Sequence, residues 1–237
     1  MAKHNVWMSV SDLMTGLMVI FLFITISYMT IVQSNQTILV DYVETKNELH
    51  DKLVNEFEGE LEKWQMSIGK DLSMKFNNPT VLFAQGSAEL TPQFKSILDE
   101  FLPRYFDILL ENEFKDKIRE IRIEGHTDDV PYPLLDNDAY IANVILSQKR
   151  SLNVLRYFRN MPIFKHYTKV ERALLEYWFT ANGLSYGKSL DCNGEYTQLS
   201  GNPIDRQLSR RVEFRIITSG DDVLEDFVIK NTRKNGK

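Results

Sequence analysis

An aspartate lies within a long apolar stretch near the start of the sequence. The stretch covers residues 6–32, and residues 13–32 contain no charged side chain. A membrane-spanning helix needs about 20 mostly apolar residues, and a charged Asp near its centre costs roughly 2.5–3.5 kcal/mol. Because loss of water disfavours the charged form of a carboxylate, Asp12 could take up and release protons. The alternative is that Asp12 lies at the membrane boundary, where a charge costs less.

Small and polar residues share the helix face of Asp12. Positions three and four apart lie on the same side of a helix, which places Ser9, Thr15 and Gly16 beside Asp12. Small residues allow a neighbouring helix to approach closely within a membrane. We therefore expect Ser9, Thr15 and Gly16 to face a pore or a partner helix.

A second pair of residues could bind a ligand that carries both an amine and a carboxylate. Asp128 follows a predicted strand, and Arg150 lies on the next predicted helix. A carboxylate pairs with an amine, and a guanidinium binds a carboxylate through two parallel hydrogen bonds. This local complementarity would let an acidic chain hold an acidic polymer.

Composition excludes several other functions. The 237 residues carry a formal net charge of -5, which argues against bulk nucleic-acid binding. Cys192 is the only cysteine, so neither an intramolecular disulfide nor a cysteine-based zinc site can form. His126 has no accompanying serine, cysteine or second histidine motif, and residues 182–189 lack the first glycine of a phosphate loop. We expect a non-enzymatic protein with no cofactor and no metal, in which His126 is structural.

The elements that must position these residues predict an α+β fold. Residues 33–78 repeat apolar side chains every three or four positions, which predicts an amphipathic helical linker. This helix either pairs with a copy of itself as a coiled coil or packs on its own domain. Beyond it, the sequence predicts helices on a mixed sheet, followed by a tail at residues 220–237. The predicted strands are residues 81–84, 118–124 and 211–217, and the predicted helices are residues 92–111, 139–160 and 169–177.

The residues around Asp12 resemble the start of the MotB family, the B subunits of ion-driven rotary stators. In that family an Asp-Phe/Leu-Met-Thr-Ala/Gly-x-Met stretch carries the proton-accepting aspartate, and Asp12 is the matching position. The resemblance implies a proton-driven motor whose B-subunit homodimer lies inside a ring of MotA-type A subunits. Lys3 precedes the span and no Lys or Arg follows until Lys46, which predicts a cytoplasmic N-terminus and a periplasmic domain in the inner membrane.

Three later motifs resemble the peptidoglycan-binding domain of the OmpA-like family over roughly residues 79–219. The motifs are Gly125-His126-Thr127-Asp128, Asn143-x-x-Leu146-Ser147-x-x-Arg150 and Arg210-Arg211-Val212-Glu213. The resemblance implies that Asp128 and Arg150 hold the diaminopimelate of the peptide stem, with Asn143 and Leu146 lining the site. The loop at residues 130–138 is longer than usual, and Ser209 stands where the family has asparagine.

Three residues near this motif set have two interpretations. Thr127, Arg206 and Arg210 could contact ligand or brace the sheet, and bracing is favoured because an arginine fork also satisfies buried carbonyls and carboxylates.

The short arm before the span, residues 1–5, and the apolar segment at residues 11–24 resemble the ZorB family of Zorya anti-phage defence more than flagellar stators. The corresponding partner would be a ring of ZorA-type A subunits. Two alternatives remain: a flagellar stator B subunit, and a passive OmpA-like cell-wall tether that moves no ion.

Overall fold

One long helix joins the apolar N-terminal stretch to a mixed α/β domain. The computed structural model describes residues 2–84, 86–132 and 137–221, so most of the predicted tail and part of the long loop lie outside the described residues. In chain order the elements are α1 (Ala2–Phe57), β1 (Met66–Ile68), β2 (Ser73–Phe76), α2 (Pro79–Leu82), α3 (Pro92–Leu109), β3 (Ile118–Gly125), α4 (Ala139–Asn160), α5 (Pro162–His166), α6 (Lys169–Trp178), β4 (Phe179–Gly183), α7 (Thr197–Ser200), α8 (Arg206–Ser209) and β5 (Val212–Thr218).

The two halves of α1 have different surroundings. Val10–Gln33 is long and apolar enough to cross a membrane, with a mean hydropathy of 2.2, and none of it is buried inside the described chain. Near its C-terminal end, Leu49, Leu53 and Phe57 are fully buried in the domain core. The Phe57 ring lies 5.1 Å from that of Phe101 on α3. The apolar residues of this part therefore pack on their own domain, which was one of the two predicted arrangements.

The prediction that the linker stays helical to residue 78 is wrong. The helix ends at Phe57, and residues 66–76 form the β1–β2 hairpin. Gln65 and Leu72 adopt positive φ angles of 48° and 58°, which a helix cannot contain. Apolar residues at helical spacing misled the prediction here, because the residues that fill the core, Met74 and Phe76, follow the two-residue period of a strand.

Residues 81–84 are also not the predicted strand. Pro79–Leu82 forms the short helix α2, in which Pro79 stands in the first turn and the Asn78 side chain accepts a hydrogen bond from the backbone of Val81. Only an isolated bridge, between Phe83 and Leu90, pairs this segment with another strand-like residue. The Asn-Pro pair acts as a helix start, because proline suits the first turn, where its missing N–H is not needed.

The sheet is mixed, as predicted. Its order is β1-β2-β5-β3-β4, with β3 and β4 parallel and the remaining neighbours antiparallel. On β3, Ile121 and Ile123 enter the hydrophobic core, whereas Glu120 and Arg122 alternate toward the opposite face. The predicted strands at residues 118–124 and 211–217 and the three predicted long helices are confirmed within two residues, whereas β4 was not predicted.

Two glycines let α4 lie directly across the ends of β3 and β4. A Cβ atom at Gly125 would collide with the backbone of Ser147, and one at Gly183 would collide with the backbone of Gln148. Both collisions involve backbone atoms, which cannot rotate away. The glycines therefore bring the middle of α4 close to the residues that follow β3, where the polar motif lies.

Candidate ligand-binding site

A cavity of about 730 Å³ lies where the chain leaves β3, between α2, α4 and the start of β5. All four residues that the sequence predicts for ligand binding line it, namely Asp128, Asn143, Leu146 and Arg150. Thr127 and Arg210 line it as well. The other lining residues are Pro79, Thr80, Leu82, Phe83, Ala84, Gly86, His126, Val130, Pro131, Tyr132 and Arg211.

Asp128 and Arg150 are both largely buried in this cavity. Asp128 Oδ2 lies 3.4 Å from Arg210 Nη1, and its Oδ1 accepts a hydrogen bond from the backbone of Val130 at 3.3 Å. Arg150 Nε donates to the Ser87 carbonyl oxygen at 2.9 Å. Burial lowers the pKa of Arg150 to about 10, a shift that Asp128 opposes. Arg150 is therefore charged at neutral pH and can bind an anion.

Asn143 fixes the loop that follows β3. Its Nδ2 donates to the carbonyl oxygens of Val130 and Ala139, each at 3.1 Å. The same side chain thereby ties the loop to the first turn of α4, beside Leu146, which is buried in the cavity wall. Asn143 both lines the cavity and holds Asp128 at its position.

Several buried polar atoms at the cavity have no hydrogen-bond partner among the described residues. They are Thr127 Oγ1, Arg210 Nε and both ring nitrogens of His126. An unpaired buried polar group costs about 1–3 kcal/mol, and such groups in a native structure call for a specific reason. All three residues line the cavity. Because His126 Nε2 faces the carboxylates of Glu124 and Glu213, Thr127 and Arg210 are the two residues that favour a polar ligand.

Arg206 lies outside the cavity. Its Nε donates to Asp129 Oδ1 at 2.7 Å and its Nη2 donates to Oδ2 at 3.3 Å, on an exposed part of the surface. Arg206 therefore neither lines the cavity nor braces the sheet, whereas Arg210 lines the cavity. The sequence pattern does not separate the two arginines.

A network of buried charges lies next to the cavity. Glu124 of β3 and Glu213 of β5 are directly opposite each other in the sheet. Arg211 Nε donates to Glu213 at 2.6 Å, and Arg215 Nη2 donates to Glu213 at 2.8 Å. Burial raises the pKa of Glu213, but the charges of Arg211, His126 and Arg215 outweigh it and hold the pKa at about 2.

This network was not predicted from the sequence. The signal was present, because both strands alternate apolar and charged residues, but the facing of Glu124 and Glu213 depends on strand register.

His126 lies between the network and the cavity. Its Nε2 is 3.7 Å from Glu124 Oε2 and 3.6 Å from Glu213 Oε1. Burial lowers the pKa of His126, although both carboxylates oppose this shift. Ligand atoms of the three residues lie within 4.8 Å of one another, a spacing that a metal ion could bridge. Arginines already compensate the carboxylates, however, so the arrangement favours a charge network, in line with a structural role for His126.

The predicted membrane site lies on an open helix face. Asp12 is exposed on the described chain, and a Cβ atom at Gly16 would meet nothing within 4 Å. Thr15 Oγ1 donates to the Ser11 carbonyl oxygen at 2.8 Å, so its hydroxyl is satisfied by the helix itself. The side chain of Ser9 lies outside the described parts of the structure. A pore role for these four residues stays a prediction.

Two solved structures are among those that resemble this chain in part. One is the cell wall anchor of the T6SS from Pseudomonas aeruginosa, with 20% identity, a TM-score of 0.45, and coverage of 70% of this chain and 97% of that chain. Another is the periplasmic domain of MotB, with 16% identity, a TM-score of 0.33, and coverage of 70% and 72%.

Sequence comparison gave a closer result. Residues 82–173, which include Asp128 and Arg150, match the OmpA family. The chain is 36% identical over 224 residues to the Zorya protein ZorB of Escherichia coli strain Crooks, an alignment that covers 91% of this chain and 88% of that protein. A Zorya protein ZorB from another Escherichia coli strain is 22% identical over 223 residues, covering 91% and 81%. With more than a third of the residues identical across nearly the whole length of both proteins, the chain belongs to the ZorB family.

Proposed function

We propose that the domain anchors the chain to peptidoglycan through the cavity. Asp128 would pair the amine of diaminopimelate, and Arg150 would bind its carboxylate through two hydrogen bonds. The observation that carries this proposal is the convergence of Asp128, Asn143, Leu146 and Arg150 on one cavity that also contains unpartnered polar atoms. The domain would bind peptidoglycan without changing it, so we propose no enzymatic activity for the protein.

The anchored domain would hold a proton-driven motor in place. Asp12 would accept and release protons at the interface with a ring of ZorA-type or MotA-type A subunits, with Thr15, Gly16 and Ser9 on the same face. Each elementary charge that crosses the membrane is worth about 2.3 kcal/mol per 100 mV. The position of Asp12 within the apolar span Val10–Gln33 supports this assignment, because a carboxylate in a span needs a protein partner or water.

A homodimer would form along α1, on the side away from the domain. Val40 and Val43 are about half exposed, and Asn47 and Val54 continue the same stripe at intervals of four and seven residues. Val40, Asn47 and Val54 lie seven residues apart, the interval of one core position in a two-stranded coiled coil, where an asparagine can fix the register. The stripe is separate from the buried face that contains Leu49.

The complete assembly would lie in the bacterial inner membrane, with a cytoplasmic N-terminus and a periplasmic domain. Membership of the ZorB family favours a role in Zorya anti-phage defence over a flagellar stator. The neighbouring genes separate these two functions: defence genes next to a long-tailed A subunit support the first, and chemotaxis genes support the second. The passive tether differs from both because it does not need Asp12.

The decisive experiment compares two carboxylates on the same helix. Asp12→Asn lies in the apolar span, whereas Asp41→Asn lies beyond it, in a surface ion pair with Lys117 at 3.5 Å. Both variants are expressed with the A subunit, and proton flux and phage protection are measured in cells. We expect Asp12→Asn to abolish both activities and Asp41→Asn to retain them. Full activity of Asp12→Asn would establish the passive tether instead.

A further inference from the structure

The charges that line the cavity do not balance. Among the described lining residues, Asp128 is the one carboxylate, and Arg150, Arg210 and Arg211 are the arginines. Arg211 is engaged with Glu213 at 2.6 Å and belongs to the adjacent network. Among the described lining residues, two arginines therefore face one carboxylate, which leaves an excess of one positive charge.

Both arginines have unused hydrogen-bonding capacity. Arg210 Nη1 is 3.4 Å from Asp128, but its Nε is buried without a partner in the described part of the chain. Arg150 uses Nε for the Ser87 carbonyl, and no described residue accepts from its two terminal nitrogens. Asp128 raises the pKa of Arg150 and Arg210 lowers it, so the three groups are close enough to interact electrostatically. Thr127 Oγ1, also buried and unpartnered, adds a neutral donor to the same wall.

We propose that the cavity selects peptide stems that end at diaminopimelate. Such an end carries one ammonium group and two free carboxylates. Asp128 would take the ammonium, Arg150 one carboxylate, and Arg210 with the Thr127 hydroxyl the other. The proposal rests on peptidoglycan binding as the function of this cavity. It assigns to Arg210 the recognition of the free carboxylate that is present only when the stem ends at diaminopimelate.

The physical basis is charge neutralisation. A ligand end of net charge -1 cancels the excess positive charge of the cavity, whereas an unpaired buried charge is costly. When the stem continues by one residue, the carboxylate assigned to Arg210 becomes a neutral amide. The new terminal carboxylate lies up to about 3.6 Å further along the peptide. Arg210 then loses its charged partner, while Asp128 and Arg150 keep theirs.

The test measures binding of two disaccharide muropeptides to the full-length chain in detergent micelles by calorimetry. One ligand ends at diaminopimelate, and the other carries one further D-alanine. A third ligand is the shorter stem in which the carboxylate that would join D-alanine is amidated. This change removes the charge without lengthening the stem. We expect the shorter stem to bind at least about tenfold more tightly than either of the others, as a charge-assisted hydrogen bond implies.

Arg210→Gln tests the assigned residue, with Arg206→Gln on the exposed Asp129 pair as the matched control. We expect Arg210→Gln to abolish the preference, so that the shorter stem binds no more tightly than the longer one. Arg206→Gln should retain the tenfold preference. Circular dichroism checks that each variant is folded, and the comparison of ligands on the unmodified chain needs no variant.

The outcomes separate this inference from the proposed function. Equal affinity of the unmodified chain for all three ligands would overturn the stem-length inference and leave peptidoglycan binding standing. An equal loss for both stem lengths in a folded Arg210→Gln variant would also overturn the role of Arg210. If the chain bound none of the muropeptides, peptidoglycan binding would itself fail, and the inference with it.

Discussion

Arg210 and Arg211 are adjacent in sequence but enter two different environments. Arg211 is fully buried, with Nε on Glu213, Nη1 on the Ser209 carbonyl and Nη2 on the Lys188 carbonyl. Arg210 lines the cavity, approaches Asp128 at 3.4 Å and has an unpartnered Nε. A saturated guanidinium fixes the fold, whereas an unsaturated one retains capacity for a ligand. Hydrogen bonding therefore separates the two arginines: three bonds tie Arg211 into the fold, whereas a nitrogen of Arg210 has no partner among the described residues.

The largest expected effect is on stability, at Arg211. Arg211→Met leaves Glu213 buried with one arginine fewer, and removing one partner of a buried ion pair costs about 3–5 kcal/mol. Arg210→Met should cost only about 1 kcal/mol, because its side chain is partly exposed and forms one long contact. Urea unfolding of the full chain in micelles, followed by circular dichroism, gives both values. Equal losses would remove the distinction between the two environments.

The next effect is on binding, at Asp128. Asp128→Asn removes the charge that would pair the ligand amine, and truncating a buried charge pair costs at least about 2 kcal/mol, or roughly 30-fold in affinity. Asp129→Asn is the matched control, because Asp129 is next to Asp128 in sequence but its carboxylate pairs with Arg206 outside the cavity. Sedimentation with purified peptidoglycan measures both. A similar loss in the two variants would show that surface charge, and not the cavity, determines binding.

The network of buried charges around His126 and Glu213 should also make stability depend on pH in two steps. Burial lowers the pKa of His126 below its ordinary 6.5, so the unfolded chain takes up the proton first and stability falls as pH drops below 6.5. The pKa of Glu213 is about 2 against an ordinary 4.5, so its stabilisation is present above pH 4.5 and is lost as pH falls toward 2. The slope for one proton is at most about 1.4 kcal/mol per pH unit.

His126→Gln separates the two steps. This variant should lose the decline that begins near pH 6.5 and keep a decline below 4.5, because Arg211 and Arg215 still lower the pKa of Glu213. Thermal unfolding at a series of pH values measures the effect. If His126→Gln and the unmodified chain gave parallel curves from pH 7 to pH 5, His126 would not be held neutral by its burial.

The smallest effect is expected at Arg206. Its ion pair with Asp129 is exposed, and exposed pairs contribute about 0–1 kcal/mol. Arg206→Ala should therefore change neither the unfolding free energy by more than about 1 kcal/mol nor muropeptide affinity by more than about twofold. A large loss of affinity in calorimetry would place Arg206 in the binding site.

Arg206 and Arg210 also show why sequence reasoning could not assign every site residue. Residues four apart lie on one face of a helix, so local spacing predicts the same environment for both. In the structure α8 ends at Ser209, and Arg210 leaves the helix with φ −83° and ψ 89°. That single change of backbone direction takes Arg210 into the cavity and leaves Arg206 at the surface.

Longer elements were more predictable. The helix at residues 139–160 was predicted to the residue, because Asp138 caps its first turn and apolar side chains follow the helical period. Thr91 and Pro92 likewise mark the start of α3. The β1–β2 hairpin was missed because its strands have only three and four residues, too few to establish a period of two against the helical spacing around them.

The sequence by itself determined the apolar span with Asp12 and the α+β class. It also identified four residues that line the cavity, Asp128, Asn143, Leu146 and Arg150, because each belongs to a short contiguous motif. The tertiary structure decided where α1 joins the domain core, and which of the two adjacent arginines keeps a nitrogen without a hydrogen-bond partner among the described residues. These outcomes depend on strand register, on close backbone approach at Gly125, and on which donors find acceptors. Residues far apart in the chain set all three, and local sequence patterns do not encode them.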